Sequence, residues 1–262
     1  MTILSSIHNP KIKQIRALRQ RKIREQRHSF FIEGLQAVTE AIQMQATMEC
    51  LIIVPEMLKS PQAQALLSAV AYTQTPIVHV SSEVFETLAS SMLAHGIAAV
   101  VQQRWTSLGE LYVDADACWV ALESVQYPGN LGTILRTADA TGARGIILLG
   151  NSTDPYDPAC VRASVGAIFS QQLVRTTVSA FTRWIQAHKL MVLGTSPTAQ
   201  SDYRSVHYQR PLVLLMGSER NGLSEQDQAL CNQVVRIPMY GRRDSLNLAV
   251  ATSIMLYETL RA

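Results

Sequence analysis

Polar side chains of the kinds that bind ligands gather in three stretches whose glycines and prolines keep the backbone irregular. The first is Tyr127-Pro-Gly-Asn130-Leu-Gly132-Thr-Ile-Leu-Arg136-Thr-Ala138, and the second is Met216-Gly217-Ser-Glu219-Arg220-Asn221-Gly222. The third is Ile237-Pro238-Met239-Tyr240-Gly241-Arg-Arg-Asp-Ser245-Leu246-Asn247. An arginine facing a cleft binds phosphate or carboxylate through a planar fork of donors. Each stretch also has a plain structural reading. Ser245 and Asn130 serve as helix caps, Arg136 pairs with Asp139, and the second stretch is a glycine-rich turn with a capping acid.

Short apolar runs precede all three stretches. Cys118–Leu122, Gly145–Leu149, Gln172–Val174, Leu190–Gly194, Leu212–Met216 and Val234–Ile237 read as strands. Helical patterns fall between them, from Asn130 to about Thr141, Pro158–Ser170, Ser179–His188 and Ser224–Cys231. Short apolar strands of this kind build a mostly parallel sheet covered on both faces, and ligands bind beyond the carboxyl ends of its strands. A helix follows the third stretch, with Ser245 at its N-cap and Leu246, Val250, Ile254 and Tyr257 at helical spacing. Being nearly all apolar after Asn247, it is expected to bury most of its circumference.

The first hundred residues alternate strand and helix as well, which predicts a small α/β layer structure with no catalytic constellation. Strands are expected at Phe30–Gly34, Cys50–Val54, Pro76–Val80 and Ile97–Val101, and helices at Leu35–Met44, Ser60–Val70 and Ser81–Met92. Residues 11 to 27 carry Lys11, Lys13, Arg16, Arg19, Arg21, Lys22, Arg24 and Arg27 against Glu25, a charge of +7 in a chain of net +3. Asn9 as cap, Pro10 at the first helical position and Ile12, Ile15 and Leu18 on one side make this arm one amphipathic helix. Its other side is either a solvated face or the footprint of a polyanion. The polar stretch Arg104 to Ala117 reads as a linker, giving an N-terminal domain over residues 1–104, a linker over 105–117 and a second domain over 118–262.

With 262 residues, 47% hydrophobic and 16% charged, the chain reads as two soluble globular domains. No apolar run is long enough to span a membrane, and no signal-peptide core is visible, so the expected location is cytoplasmic. Cys50, Cys118, Cys160 and Cys231 are scattered and read as buried reduced thiols. The six histidines lack metal-ligand spacing, so no metal is expected. The G-x-G and G-K-S/T phosphate loops and the G-x-S-x-G elbow are all missing, which sets aside the usual dinucleotide folds, P-loop kinases and serine hydrolases.

The three stretches together resemble the three motifs of the SpoU branch of the SPOUT methyltransferases, RNA ribose 2′-O-methyltransferases that use S-adenosylmethionine. Asn130, Gly132, Arg136 and Ala138 match the first motif, Gly217, Glu219 and Gly222 the second, and Pro238, Ser245, Leu246 and Asn247 the third. Arg162-Ala-Ser164-Val-Gly166-Ala is similar to a family segment between motifs, and Arg162 joins the arm cations (Lys11, Lys13, Arg16, Arg19, Arg21, Lys22 and Arg24) as an expected RNA contact. Tyr127 departs from the acid many members carry before Pro-Gly. The resemblance implies a parallel sheet whose C-terminal segment forms a trefoil knot, preceded by a ribosomal-protein-like RNA-binding domain. It implies that Thr195, Gly217, Ile237, Met239 and Leu246 surround the cofactor and that Asn130, Arg136, Glu219, Ser245 and Asn247 form the catalytic set. In that set Glu219 would orient Arg136 or the substrate hydroxyl. A homodimer is implied too, with ribosomal RNA expected as substrate ahead of transfer RNA. A non-catalytic RNA-binding protein on the same fold, and methylation of a base, remain as alternatives.

Overall fold

A computed structural model of the chain describes residues 2–71, 75–89 and 96–261. The chain forms two compact units. One holds the residues up to Gln103 together with Tyr156–Phe169, and the other holds Arg104–Pro155 and the residues from Ser170 on.

The first unit contains α1 (Pro10–Ala17), α2 (Arg21–Arg27), β1 (Ser29–Glu33), α3 (Leu35–Gln43), β2 (Met48–Ile53), α4 (Pro61–Ala71), β3 (Ile77–His79), α5 (Ser82–Leu88) and β4 (Ile97–Gln102). Its sheet runs β1-β4-β2-β3, antiparallel except where β2 meets β3. Of the helix expected over Ser81–Met92, residues 90–92 lie outside the described residues.

The basic arm is two helices instead of one. α1 ends at Leu18, Gln20 turns extended, and α2 starts at Arg21. The cause is Arg24, which is 1% exposed and donates to the carbonyls of Leu18 at 2.9 Å and Arg19 at 2.8 Å. A helix end leaves such carbonyls without partners, and a buried guanidinium supplies them. Arg24 is therefore a structural residue and lies off the surface on which an RNA contact was expected. Ile12, Ile15 and Leu18 are buried in one core with Val84, Phe85 and Leu88 of α5. Each such side chain contributes about 1.5–3 kcal/mol of transfer free energy, so the arm is docked onto its unit.

α7 (Pro158–Ser164) stops six residues before the expected Ser170 because Val165 turns left-handed at φ 49°. It belongs to the first unit. Its N-cap Asp157 pairs with Arg24 at 3.6 Å, and Tyr156 and Phe169 flank Phe30 of β1.

The second unit carries β5 (Cys118–Glu123), α6 (Pro128–Ala140), β6 (Gly145–Leu149), β7 (Gln172–Arg175), α8 (Val178–Ala187), β8 (Met191–Thr195), β9 (Ser201–Asp202), β10 (Leu212–Met216), α9 (Glu225–Gln228), β11 (Gln233–Arg236) and α10 (Leu248–Glu258). All seven strands are parallel, in the order β7-β6-β5-β10-β8-β11-β9. β5, β6, β8 and β10 are apolar along nearly their whole length, as a sheet covered on both faces requires. The stretch read as a linker is packed: Leu111 and Ala117 are buried in this unit's core beside Trp119 and Trp184. Cys50, Cys118 and Cys160 are buried and Cys231 partly so. Burial pushes the Cys118 thiol up to about 11, and burial with Asp227 nearby pushes Cys231 to about 12. Among the described residues no helix is long and apolar enough to cross a membrane, and no cluster of His, Cys, Asp and Glu could hold a metal ion.

Candidate active site

The chain runs outward from β5 through β6 to β7, then crosses back to the other side of β5. β10 is the neighbour it finally places there. A reversal of this kind leaves a crevice beyond the strand carboxyl ends. On the same side of β5, the loops after β8, β10 and β11 wall a cleft of about 1,020 Å³. Thr195, Gly217, Ile237, Met239 and Leu246 all line it, as do Glu219 and Ser245.

Gly217 sets the shape of the middle loop. Ser218 and Gly222 exchange backbone hydrogen bonds of 3.2 and 3.0 Å, closing a turn directly after β10. A Cβ on Gly217 would come within 2.0 Å of the Gly222 carbonyl carbon, so only glycine fits. The turn delivers Glu219 to the loop after β5. There its carboxylate accepts from the backbone N–H of Gln126 at 2.9 Å, that of Tyr127 at 3.2 Å, and Asn130 Nδ2 at 3.0 Å. Burial alone would raise this acid. The Gln126, Asn130, Glu219 and Tyr127 donors outweigh it and hold the carboxyl below its usual range.

Neither expected cap is where the sequence pointed. Tyr127 occupies the N-cap of α6, and Asn130 lies inside the first turn with its side chain turned to Glu219. Asn247 caps α10, accepting from the N–H groups of Ala249 and Val250, whereas Ser245 is exposed and donates to Asp244. Asn247 Nδ2 in turn donates to Asn130 Oδ1 at 2.9 Å. The result is a directional chain: α10 N–H groups to Asn247, Asn247 to Asn130, Asn130 to Glu219. An ionised carboxylate accepts only, so Glu219 fixes which way the Asn130 amide faces, and Asn130 then fixes Asn247. Each amide keeps a second N–H for another acceptor.

Arg136 stands outside this chain. It is exposed on α6 and makes no ion pair among the described residues; Asp139, the partner suggested by spacing, accepts from Ser170 instead. Glu219 therefore orients Asn130 within this chain, and not Arg136. Of the arm cations, Arg21 pairs with Glu25 and Arg27 with Glu49, whereas Lys11, Lys13 and Lys22 are exposed and make no ion pair among the described residues. The two-amide chain was missed in the sequence. Its signal was an Asn followed by two residues whose N–H groups open an apolar helix.

A family model described as the SpoU rRNA methylase family matches residues 117–257. The chain belongs to the SpoU rRNA methylase family. A model described as an MRM3-like substrate binding domain matches residues 9–99. Among family relatives, a 23S rRNA (uridine(2479)-2′-O)-methyltransferase of Streptomyces viridochromogenes is 36% identical over 63% of this chain and 60% of its own length. A 23S rRNA (guanosine(2553)-2′-O)-methyltransferase of Bacillus subtilis is 29% identical over 98% of both chains. The AdoMet-bound structure of an rRNA methyltransferase from Sinorhizobium meliloti is similar with a TM-score of 0.91 and 37% identity, covering 99% of this chain and 97% of that one.

Proposed function

We propose that the chain is an RNA ribose 2′-O-methyltransferase that uses S-adenosylmethionine and acts on ribosomal RNA. The observation that carries this reading is the cleft beyond β8, β10 and β11, with a wired polar triad of Glu219, Asn130 and Asn247 beside it.

The residues present fit the cofactor. At about 1,020 Å³ the cleft is at the upper end of ligand pockets, which run to roughly 1,000 Å³, and suits a nucleoside bearing an amino-acid tail. Ile237, Met239 and Leu246 offer apolar packing for an adenine, and Thr195, Gly217 and the neighbouring backbone offer polar contacts. When bound, S-adenosylmethionine supplies an electrophilic methyl group. The protein's own part is alignment and charge. The free N–H groups of Asn130 and Asn247 donate to oxygens of the substrate ribose, holding its hydroxyl in line, and alignment of this kind lowers a barrier substantially. A carboxylate whose basicity is reduced is a weak proton acceptor, so Glu219 acts as the anchor of the amides. The hydroxyl proton leaves to phosphate or water, and Arg136 stabilises the negative charge that develops on oxygen.

Two further features belong to this reading. Lys11, Lys13 and Lys22, with Arg16, Arg19, Arg21 and Arg162, hold the RNA in the first unit, and the protein acts in the cytoplasm. A second copy of the chain covers the open side of α10, bringing exposed Arg136 next to its partner, and β10, inserted between the earlier strands β5 and β8, is compatible with the family's knot. Calorimetric titration of S-adenosylmethionine, with mapping of ribose methylation in total RNA with and without the protein, tests the proposal. Arg136→Ala is expected to bind cofactor and lose transfer. A chain that takes up no cofactor, or an Arg136→Ala variant with full turnover, rejects it.

A further inference from the structure

The segment from Arg162 to Gly166 has no part in the cleft of the second unit. It sits in the first, where it forms one wall of a pocket of about 220 Å³. We propose that this pocket receives a single unstacked base of the RNA. The proposal rests on RNA being the substrate.

Size argues for one ring system, because drug-sized ligands occupy roughly 300–1,000 Å³ and this space is smaller. Its walls are apolar, from Leu18, Leu88 and Val161, and Phe31 adds an aromatic ring from the half-buried face of β1. Single-stranded RNA is recognised by splaying bases onto aromatic rings and guanidinium planes, whereas duplex RNA offers no base to such a pocket. Glu33 lies two residues from Phe31 on the same face, and Gln36 is exposed at the start of α3; between them they offer acceptors and donors for a base edge.

Three arginines line the pocket against one acid, which selects a polyanion over a neutral metabolite. Two of them are preset. Arg16 Nη2 donates to the Ile7 carbonyl at 3.2 Å and to Thr87 Oγ1 at 2.8 Å, and Arg19 Nη2 donates to the Leu88 carbonyl at 3.1 Å. The third, Arg162, is exposed on α7, and the entry to α7 is pinned by Asp157, its N-cap and the partner of buried Arg24. Fixed guanidinium groups around an apolar slot suit a base flanked by its phosphates.

The experiment uses the full chain saturated with S-adenosylmethionine, so that the other cleft is filled. Anisotropy measures its affinity for a labelled mixed-sequence pentaribonucleotide and for an abasic strand of equal length. The wild type is expected to prefer the base-bearing strand by about tenfold, the scale of base stacking on an aromatic ring. Phe31→Leu and Gln36→Ala shrink that preference to about twofold, while Arg162→Gln weakens both strands alike and flattens the salt slope by about 0.7, the single-strand value per phosphate. Gln36 is exposed, so its variant carries the test if Phe31→Leu proves unstable. An unchanged preference in both variants, or equal binding of the two strands by the wild type, overturns the pocket and leaves the methyltransferase reading standing. A wild type that binds cofactor but neither strand likewise overturns the pocket, whereas one that takes up no cofactor overturns the methyltransferase reading on which it rests.

Discussion

Asn130 Oδ1 accepts a 2.9 Å hydrogen bond from Asn247 Nδ2, joining the first turn of α6 to the N-cap of α10 across 117 residues of sequence. Because Asn130 also donates to Glu219, its amide has one allowed orientation, and a carboxylate in its place would face Glu219 with like charge. Two adjacent carboxylates cannot both ionise freely, so one of them titrates well above its ordinary value. Asn130→Asp is therefore expected to lose turnover by more than about tenfold at neutral pH and to recover part of it as the pH is lowered and the pair takes up a proton. Asn130→Ala has no group to protonate and is expected to stay low throughout. A kcat profile from about pH 5 to 9 separates the two variants; parallel profiles would show that the amide's orientation is irrelevant.

Glu219 leaves a signature in stability as well. Its folded-state pKa lies below the unfolded reference of about 4.3, so its contribution is present above that pH and is lost as the pH falls through the folded value. Wild type should exceed Glu219→Gln in urea midpoint near pH 6, and the gap should close between about pH 4.3 and the folded pKa. A gap that is constant with pH would mean that the carboxylate's charge is not what the Gln126, Tyr127 and Asn130 donors recognise.

The two sheets were legible because apolar runs bounded by glycine and proline are a local signal, and all six strand cores expected in the second unit lie in its sheet. β9 is two residues long and was invisible for that reason. Lining of the cleft followed from family likeness, since loops from β8, β10 and β11 meet only through sheet order, which no local pattern encodes. Caps were misread where several polar residues compete. Ser245, Asn247 and Asn130 are all good N-caps by type, and tertiary hydrogen bonds decided among them. Arg24 shows the same limit from the other side, because a charge run gives no sign of which member folds inward to satisfy Leu18 and Arg19 carbonyls.

That inward turn separates two neighbours that composition treats alike. Arg24→Ala removes both carbonyl bonds and the partner of Asp157, so it is expected to cost roughly 1–3 kcal/mol or more of stability, as unsatisfied buried groups do. Lys22→Ala should leave the melting temperature unchanged and lower RNA affinity in proportion to one lost phosphate contact, with a slope change of about 0.7. Thermal melts and salt titrations on both variants check the contrast. Equal effects of the two substitutions on stability would contradict the structural role of Arg24.

α10 provides the last prediction. The helix is almost wholly apolar, yet Leu248, Ala249, Thr252, Met255 and Leu256 face the interior, while Val250 is 48% and Tyr257 56% exposed. Leu260 continues that open side, so Val250 and Tyr257, part of the row expected to be buried, face away from the core, while Leu246, from the same row, is 37% exposed and lines the cleft. The inward side packs on α6 and β10, and the open side leaves Val250, Tyr257 and Leu260 about half exposed. On the proposed dimer reading, this side is the surface that the second copy covers. Exposed Arg136 is on α6, the helix packed beside α10, so a second copy seated on that side would stand close to a cation that makes no ion pair among the described residues. Val250→Glu is thus expected to shift the protein from dimer to monomer in light scattering and to lower methyl transfer with it, while leaving the melting curve of each unit cooperative. A variant that stays dimeric would place the contact elsewhere. One that becomes monomeric with full activity would show that the active site is complete in a single chain.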